Sequence, residues 1–246
     1  MALVKLNYRN ILDTASTIFV TSEDPLYPKT RLYDRDIGLL YKATSNPNPF
    51  YFLISQPASF YAVDTLIVPA GHNFDTLTMS IHYSDDNWAT HDWTALSWTQ
   101  SGNGQIVKTF ASLNYQYFGL AIASPSAYPQ MTELYLGPTY TFERSYLVGS
   151  KVGKKKNVIH EDWQKTKWRE MQQYYSLNLI VDSTQKTNLQ LWDSVTEGVK
   201  NFYFTDADGT TVTFMELTGD LIFNFKSYNA SGPIWDCSFE MVEVLA

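Results

Sequence analysis

The sequence predicts a mainly β protein: an N-terminal β-sandwich or jelly roll followed by a small α+β domain of antiparallel strands. Three observations predict it. Aromatic residues are abundant (17 Tyr, 14 Phe, 7 Trp) while charged residues make up 17% of the chain, a balance that suits half-buried pleated strands better than long solvated helices. Short apolar runs recur between clusters of Gly, Pro, Asn, Asp and Ser through the first half of the chain. One composition shift, GSKVGKKKNVIH from Gly149 to His160, breaks an otherwise even sequence, and 246 residues are enough for two cores.

In the first predicted domain, residues 1–146, the runs are TIFV, FYFLIS, YAVDTLIVP, LTMSIHYS, QIVKTF, YQYFGLAIA and ELYLGPTYTF. Each has strand length and is bounded by turn residues, the pattern of a sandwich. Leu77, Met79, Ile81 and Tyr83 alternate with Thr78, Ser80, His82 and Ser84, which assigns the first set to the core face and the second to solvent. SGNGQ, Ser101 to Gln105, reads as a hairpin turn. Residues 147–160 are a Lys/Gly-rich junction or, equally, a long hairpin arm of the second domain.

The second predicted domain, residues 161–246, begins its readable pattern with a strand at SLNLIV. Asp182 to Gly198 then predicts a short helix, capped by Ser183 or Thr184, with Leu189, Trp192 and Val195 as its apolar stripe and Gly198 as its stop. NFYFT, the turn DADG, TTVTFME, GDLIFNFKS and IWDCSFEMVEV follow as four antiparallel strands.

Composition narrows the function. A net charge of −7 argues against a surface that grips nucleic acid by neutralising phosphates. Cys237 is the single cysteine, so no internal disulfide forms, and the fold is compatible with assembly in a reducing cytoplasm. MALVKLNYRN lacks a signal-peptide core, and no apolar run approaches the roughly 20 residues of a membrane span.

The segment from Pro69 to Trp93 holds His72, His82 and His91 beside Asp75, Asp85, Asp86 and Asp92, the inventory of a metal site or an acid/base centre. Their spacing enforces no convergence, so neither a metal nor a cofactor is expected. Asp206, Asp208 and Gly209 imitate a calcium loop, but Leu217 stands where the bidentate Glu is needed, and Asp-Gly between two aromatic strands is a hairpin signal. G-x-S-x-G, P-loop and G-x-G-x-x-G patterns are missing, Cys237 sits among inward positions, and Asp85 and Asp86 read as adjacent turn residues pointing apart. The expectation is a protein that is not an enzyme. Trp88, Trp93 and Trp98 crowd a polar segment, either as core residues or as stacking platforms for sugar rings. Trp88, His91 and Trp93 are the candidate carbohydrate contacts.

SEDPLYP followed by KTRLYDRDIGLLYKAT (29–44), VDTLIVPAGHNFD (63–75), IHYSDDNW (81–88) and the close from YFGLAIA to ELYLGPTYTF resemble the discoidin or galactose-binding-like sandwich found in virion proteins of tailed bacteriophages. That resemblance implies that the His and Asp cluster is turn chemistry. The chain from KWREMQQYYSLNL to WDCSFEMVEV resembles the belt-type domain of phage distal tail and minor tail proteins, with Gly198, Phe202, Phe204, Asp206, Asp208, Gly209 and Glu243 at matching places. The domain order is the reverse of the commonest distal tail protein, in which the ring-forming domain comes first. The resemblance implies a structural virion protein of a tail tip or baseplate, assembled in the host cytoplasm. It would form a hexameric or trimeric ring that joins the tail tube protein to the hub and other tip proteins and displays the outer sandwich. Lys151, Lys154, Lys155, Lys156, Trp163 and Trp168 are then the expected interface between copies. The alternative is a carbohydrate-binding module for attachment to a host-surface glycan.

Overall fold

The structure, a computed structural model, describes residues 3–58, 60–142, 150–160, 166–196, 200–210, 212–230 and 232–244. In chain order the strands are β1 (Lys5–Asn7), β2 (Thr17–Val20), β3 (Tyr41–Lys42), β4 (Phe50–Ser55), β5 (Val63–Val68), β6 (Thr78–Ser84), β7 (Trp93–Thr99), β8 (Ile106–Leu113) and β9 (Tyr117–Ala123). They continue as β10 (Gln130–Met131), β11 (Tyr135–Gly137), β12 (Tyr140–Thr141), β13 (Lys151–His160), β14 (Thr166–Asp182), β15 (Phe202–Thr205), β16 (Val212–Leu217), β17 (Ile222–Asn229) and β18 (Gly232–Glu243). One α-helix among the described residues, α1 (Ser183–Thr196), lies between β14 and β15 in chain order. The protein is mainly β, as the sequence predicts, and no described helix is long and apolar enough to cross a membrane.

Residues 9–139 form one compact unit, a β-sandwich. Its larger sheet runs β2-β4-β9-β6-β7 and a smaller one β11-β5-β8, with β10 and β3 as a separate pair. All pairings are antiparallel. Phe50, Phe52, Ile54, Met79, Ile81, Phe118, Leu120 and Ile122 from the larger sheet share one core with Val63, Leu66, Val68, Ile106 and Leu136 from the smaller. Alternation along each strand puts these residues inward. Gly137 is required on β11, because a Cβ there would overlap the carbonyl of Arg9.

Two sequence readings in this unit are corrected. WTALSWT, a polar segment in the sequence reading, is β7, an edge strand in which Trp93, Ala95, Leu96 and Trp98 are partly covered and Thr94, Ser97 and Thr99 exposed; a bulge opposite Ile81 and His82 breaks the two-residue alternation. SGNGQ is not a hairpin turn: β7 pairs with β6 while β8 pairs with β5, so residues 101–105 carry the chain from one sheet to the other. Gly102, at φ +71°, donates its N–H to Asp75 at 2.6 Å.

The second unit comprises residues 1–8 and 140–245. Its sheet runs β12-β1-β15-β16-β18-β14-β13, with β17 also paired to β18. The division differs from the boundary read at residue 146. β1 pairs with β12 and β15, because Leu6, fully buried, joins the same core as Phe142, Phe204 and Met215. The sandwich is therefore inserted between the first and second strands of this unit. Residues 151–160 are not a loose junction but β13, paired with β14 from Lys151↔Ser176 to His160↔Thr166 with one register shift between Lys156 and Val158. Backbone hydrogen bonding makes the Lys-rich stretch one strand of a long hairpin.

Helix α1 begins where the carboxylate of Asp182 accepts the Gln185 N–H at 2.7 Å. Asp182, not Ser183 or Thr184, is thus the cap, since its short acceptor faces the free N–H groups of the first turn. Leu189 and Trp192 are fully buried against β14 and β18 residues; the predicted stop, Gly198, lies outside the described residues. DADG is the hairpin turn between β15 and β16, with Thr205 opposite Val212 and Gly209 at φ +76°.

Cys237 lies among the core residues Leu179, Phe239 and Met241, and burial pushes its thiol up to about 12. Reactivity belongs to the thiolate. We expect the native protein to resist a disulfide-exchange reagent at mildly alkaline pH and to react with one equivalent once unfolded; fast labelling of the native state would place Cys237 outside the core.

Candidate functional site: a tryptophan-walled groove on the larger sheet

The outward side of the larger sheet follows from register. Phe19 pairs with Leu53, Leu53 with Gly119 and Gly119 with His82, which aligns one row across β2, β4, β9 and β6. The adjacent row is Thr17, Ser55, Tyr117 and Ser84. A groove of about 410 Å³ opens here, with Phe19, Leu53, Trp88 and Tyr117 as apolar walls and Thr17, Ser55 and Asn87 as polar lining. Phe19 is 50% exposed, a large apolar ring left open to solvent.

Trp88 reaches the groove from the β6–β7 turn. Its ring needs Gly119 beneath it: a Cβ there would stand 3.3 Å from Trp88 Cη2 and 2.9 Å from Leu53 Cδ2. Asn87 and Trp88 take φ values of +56° and +65°, a conformation costly for any residue with a Cβ. Hydrogen bonds hold it. Buried Ser84 accepts the Trp88 N–H at 3.1 Å and donates its hydroxyl to Asp86 at 2.8 Å. Asp86 also accepts from the Thr90 hydroxyl at 2.6 Å, the Thr90 N–H at 2.8 Å and the His91 N–H at 3.1 Å. The solvent-facing reading of Ser84 is corrected for this reason, since its side chain is sealed beneath the turn that it ties.

The histidines separate into three environments. His72 is buried and stacks on Phe74 with ring centroids 5.0 Å apart. Its Nδ1 accepts the Phe74 N–H at 3.2 Å, so Nε2–H donates to the Gly104 carbonyl at 2.7 Å; burial lowers its pKa, as for a neutral core imidazole. His82 lies between Ser80, 2.7 Å from Nε2, and Asp92, 2.6 Å from Nδ1. His91 meets Asp85 at 2.7 Å and lies 3.7 Å from Asp86. Asp85 and Asp86 therefore converge on His91 rather than pointing apart, because the left-handed residues that follow them curl the chain back. Their ligand-type atoms and that of His91 lie within 4.8 Å of one another, but the hydrogen bonds of the turn already employ them.

Of the predicted carbohydrate contacts, only Trp88 lines the groove. Trp93 stacks on His91 at 4.7 Å and packs beside Tyr83 and Tyr115, while Trp98 packs on the core under Lys108. Phe19, Leu53 and Tyr117 were missed, because membership of the groove depends on pairing between strands distant in sequence. Among the predicted interface residues, Lys151 is exposed on β13. Lys154, Lys155 and Lys156 follow it on that strand, Trp168 lies on β14, and Trp163 lies outside the described residues.

No family profile matches this sequence, and no curated protein does. Among solved structures, a chitosan-binding module from a chitosanase/glucanase of Paenibacillus sp. IK-5 is 15% identical, covering 53% of this chain and 99% of its own, with a TM-score of 0.45. A family 32 carbohydrate-binding module from NanJ of C. perfringens, in complex with galactose, is 14% identical over 56% of this chain and 100% of its own, with a TM-score of 0.44. A further module from Clostridium perfringens, in complex with GalNAc-β-1,3-galactose, is 13% identical over 50% of this chain and 94% of its own, with a TM-score of 0.42.

The turn that carries Trp88 is sensitive to pH. The Thr90 hydroxyl, joined by Ser84 and backbone N–H groups, holds Asp86 well below the usual carboxylate range. Its stabilising contribution is present above the unfolded value of about 3.9 and is lost as pH falls through the folded one. The hydrogen bond to Asp85, with the charges of Asp85 and Asp86, raises His91. That contribution is full below about 6.5 and is lost as pH rises through the raised folded value. Both operate fully between about pH 4 and 6.5. Raising pH from about 6 to about 8 is therefore expected to shift the Trp88 indole resonance together with the His91 titration. His91→Gln should abolish that coupled shift, and a Trp88 resonance flat over the range would separate the indole from this pair.

Proposed function

We propose that the sandwich is a carbohydrate-binding module and that its ligand is an uncharged sugar held in the Trp88 groove. The carrying observation is an open groove walled by Trp88, Phe19 and Tyr117 whose lining, with Thr17, Ser55 and Asn87, contains hydroxyl and amide groups but, among the described residues, no carboxylate, ammonium or guanidinium. Sugar rings present apolar C–H faces and a rim of hydroxyls, so an aromatic wall with neutral donors and acceptors complements them. A glycan array followed by titration of a hit, read by tryptophan fluorescence and calorimetry, tests this. Saturable binding lost on Gly119→Val, which removes the seat of Trp88, supports the reading. Failure of every neutral glycan to bind, or binding indifferent to Gly119→Val, overturns it.

A second reading, a structural virion protein at a phage tail tip, is favoured by the other unit. Strand β17 pairs with β18 alone among the described residues, and it leaves Ile222, Phe225 and Tyr228 at 51, 53 and 76% exposure. An edge strand bearing large apolar side chains is suited to association with another chain. The position of β1 also bears on it: β1 belongs to the same sheet as β12 and β15, so the domain order noted in the sequence becomes an insertion. Light scattering tests the reading. A discrete species of three or six times 28.2 kDa supports a ring, and a monomer at all concentrations, with and without tail proteins, counts against it. On this reading the protein resides in the virion, and the sandwich meets the host-surface glycan.

A further inference from the structure

We propose that Ser80, His82 and Asp92 form a nucleophilic serine centre on the outer face of the larger sheet, with a small O-acyl ester as its substrate class. His82 Nδ1 lies 2.6 Å from Asp92 Oδ1, and Nε2 lies 2.7 Å from Ser80 Oγ. An ionised carboxylate only accepts hydrogen bonds, so Nδ1 carries a proton; in the neutral ring Nε2 then holds the lone pair, and Ser80 must donate to it. This is the polarity of a hydroxyl activated by a base that a carboxylate orients.

The sheet explains why the three groups meet. Ser80 and His82 are two residues apart on β6 and share a face. A bulge between Ile81 and His82 sets His82 opposite Thr94 and Tyr83 opposite Trp93, which brings Asp92, just before β7, to the imidazole. The neighbours of Ser80 across the sheet are Ala121 and Ser97, and His82 faces Gly119. Ser80 is itself partly exposed, and His82 retains 18% exposure of its side chain.

In the reaction Ser80 Oγ bonds to the ester carbonyl carbon while its proton passes to His82 Nε2. The carbon–oxygen bond to the alcohol breaks, and the same proton goes to the departing oxygen. Water then bonds to the acyl carbon and passes a proton to His82 Nε2; the bond from that carbon to Ser80 Oγ breaks, Oγ takes the proton from His82, and the acid leaves. Asp92 is a positioning residue that fixes the tautomer of His82. Because β6 is paired on both sides, its backbone N–H groups are spent in the ladders, and no pair of them forms an oxyanion hole. Loss of one such donor costs about 100- to 1000-fold, so turnover is slow, and acylation is the step to observe.

The full-length protein is incubated with a fluorophosphonate probe, where Ser80 Oγ–P forms and fluoride leaves, and separately with p-nitrophenyl acetate. The expected result is one adduct located on Ser80 by mass spectrometry and release of p-nitrophenolate, both lost in Ser80→Ala with unchanged thermal unfolding. His82→Gln should slow labelling by about 100-fold or more. Asp92→Asn should slow labelling at unchanged thermal unfolding, because the amide no longer holds the ring in the tautomer that leaves Nε2 free to accept, and Asp92→Glu should recover part of the rate. An unlabelled wild-type protein, or labelling and hydrolysis that persist in Ser80→Ala, overturns the proposal.

Discussion

Replacing Trp192 by alanine is expected to lower the stability of the α+β unit by about 3–5 kcal/mol, the usual cost of emptying a large aromatic site in a core. The indole has no exposed surface, and it meets the rings of Phe202 and Phe239 edge-on at 4.9 and 5.2 Å. It is thus the main peg by which α1 sits on the sheet, since the helix stripe otherwise offers Leu189 and the partly covered Val195. Truncation leaves a void too enclosed by strands to collapse. Trp192→Phe should lose less than half as much, because it keeps an edge-on ring against both partners. Urea unfolding followed by circular dichroism measures the difference; a loss under about 1 kcal/mol for the alanine variant would mean that the helix is not seated as described.

Replacing Trp88 by alanine is expected to abolish most of the proposed sugar binding while leaving the fold intact. A stacking residue at the centre of a small site contributes on the order of 2 kcal/mol, which corresponds to about thirtyfold in affinity. The indole is only half-buried, and the hydrogen bonds that shape its turn come from Ser84, Asp86 and backbone N–H groups, so truncation spares them. Trp88→Phe should recover part of the affinity, and Trp93→Phe, which alters the stack with His91 but not the groove, should retain all of it. Titration of each variant with the same glycan separates these cases; equal affinity for Trp88→Ala and the wild type would move the ligand elsewhere on the sandwich.

Local chemistry was legible in the sequence, and long-range pairing was not. The DADG hairpin, the stripe of Leu189 and Trp192, and the alternation of Met79 and Ile81 arise from neighbours within a few residues, and each is present. The groove needs Gly119 below Trp88 and Phe19 beyond Leu53, contacts that exist only after β2, β4 and β9 have aligned. The Ser80–His82–Asp92 chain was overlooked for a related reason. A search for a serine at a strand-to-helix elbow finds nothing, whereas here alternation along β6 supplies two members and a bulge delivers the third. Asp85 and Asp86 were misjudged because adjacent residues diverge in an extended chain but not ahead of two left-handed residues. β1 is too short to show a period, so nothing in its three residues announces a partner near the far end of the chain.

That partnership sets a schedule for synthesis. Leu6 pairs with Phe204, which is made roughly 200 residues later; at about 5–20 residues per second Leu6 waits on the order of 10 to 40 s. The sandwich, whose strands all lie in between, has that interval to fold while the first strand of the host sheet is still without its central neighbour. Nascent-chain stalling at successive lengths would therefore reveal a finished insert hanging from an unfinished host, and the host would close only when its last third has emerged.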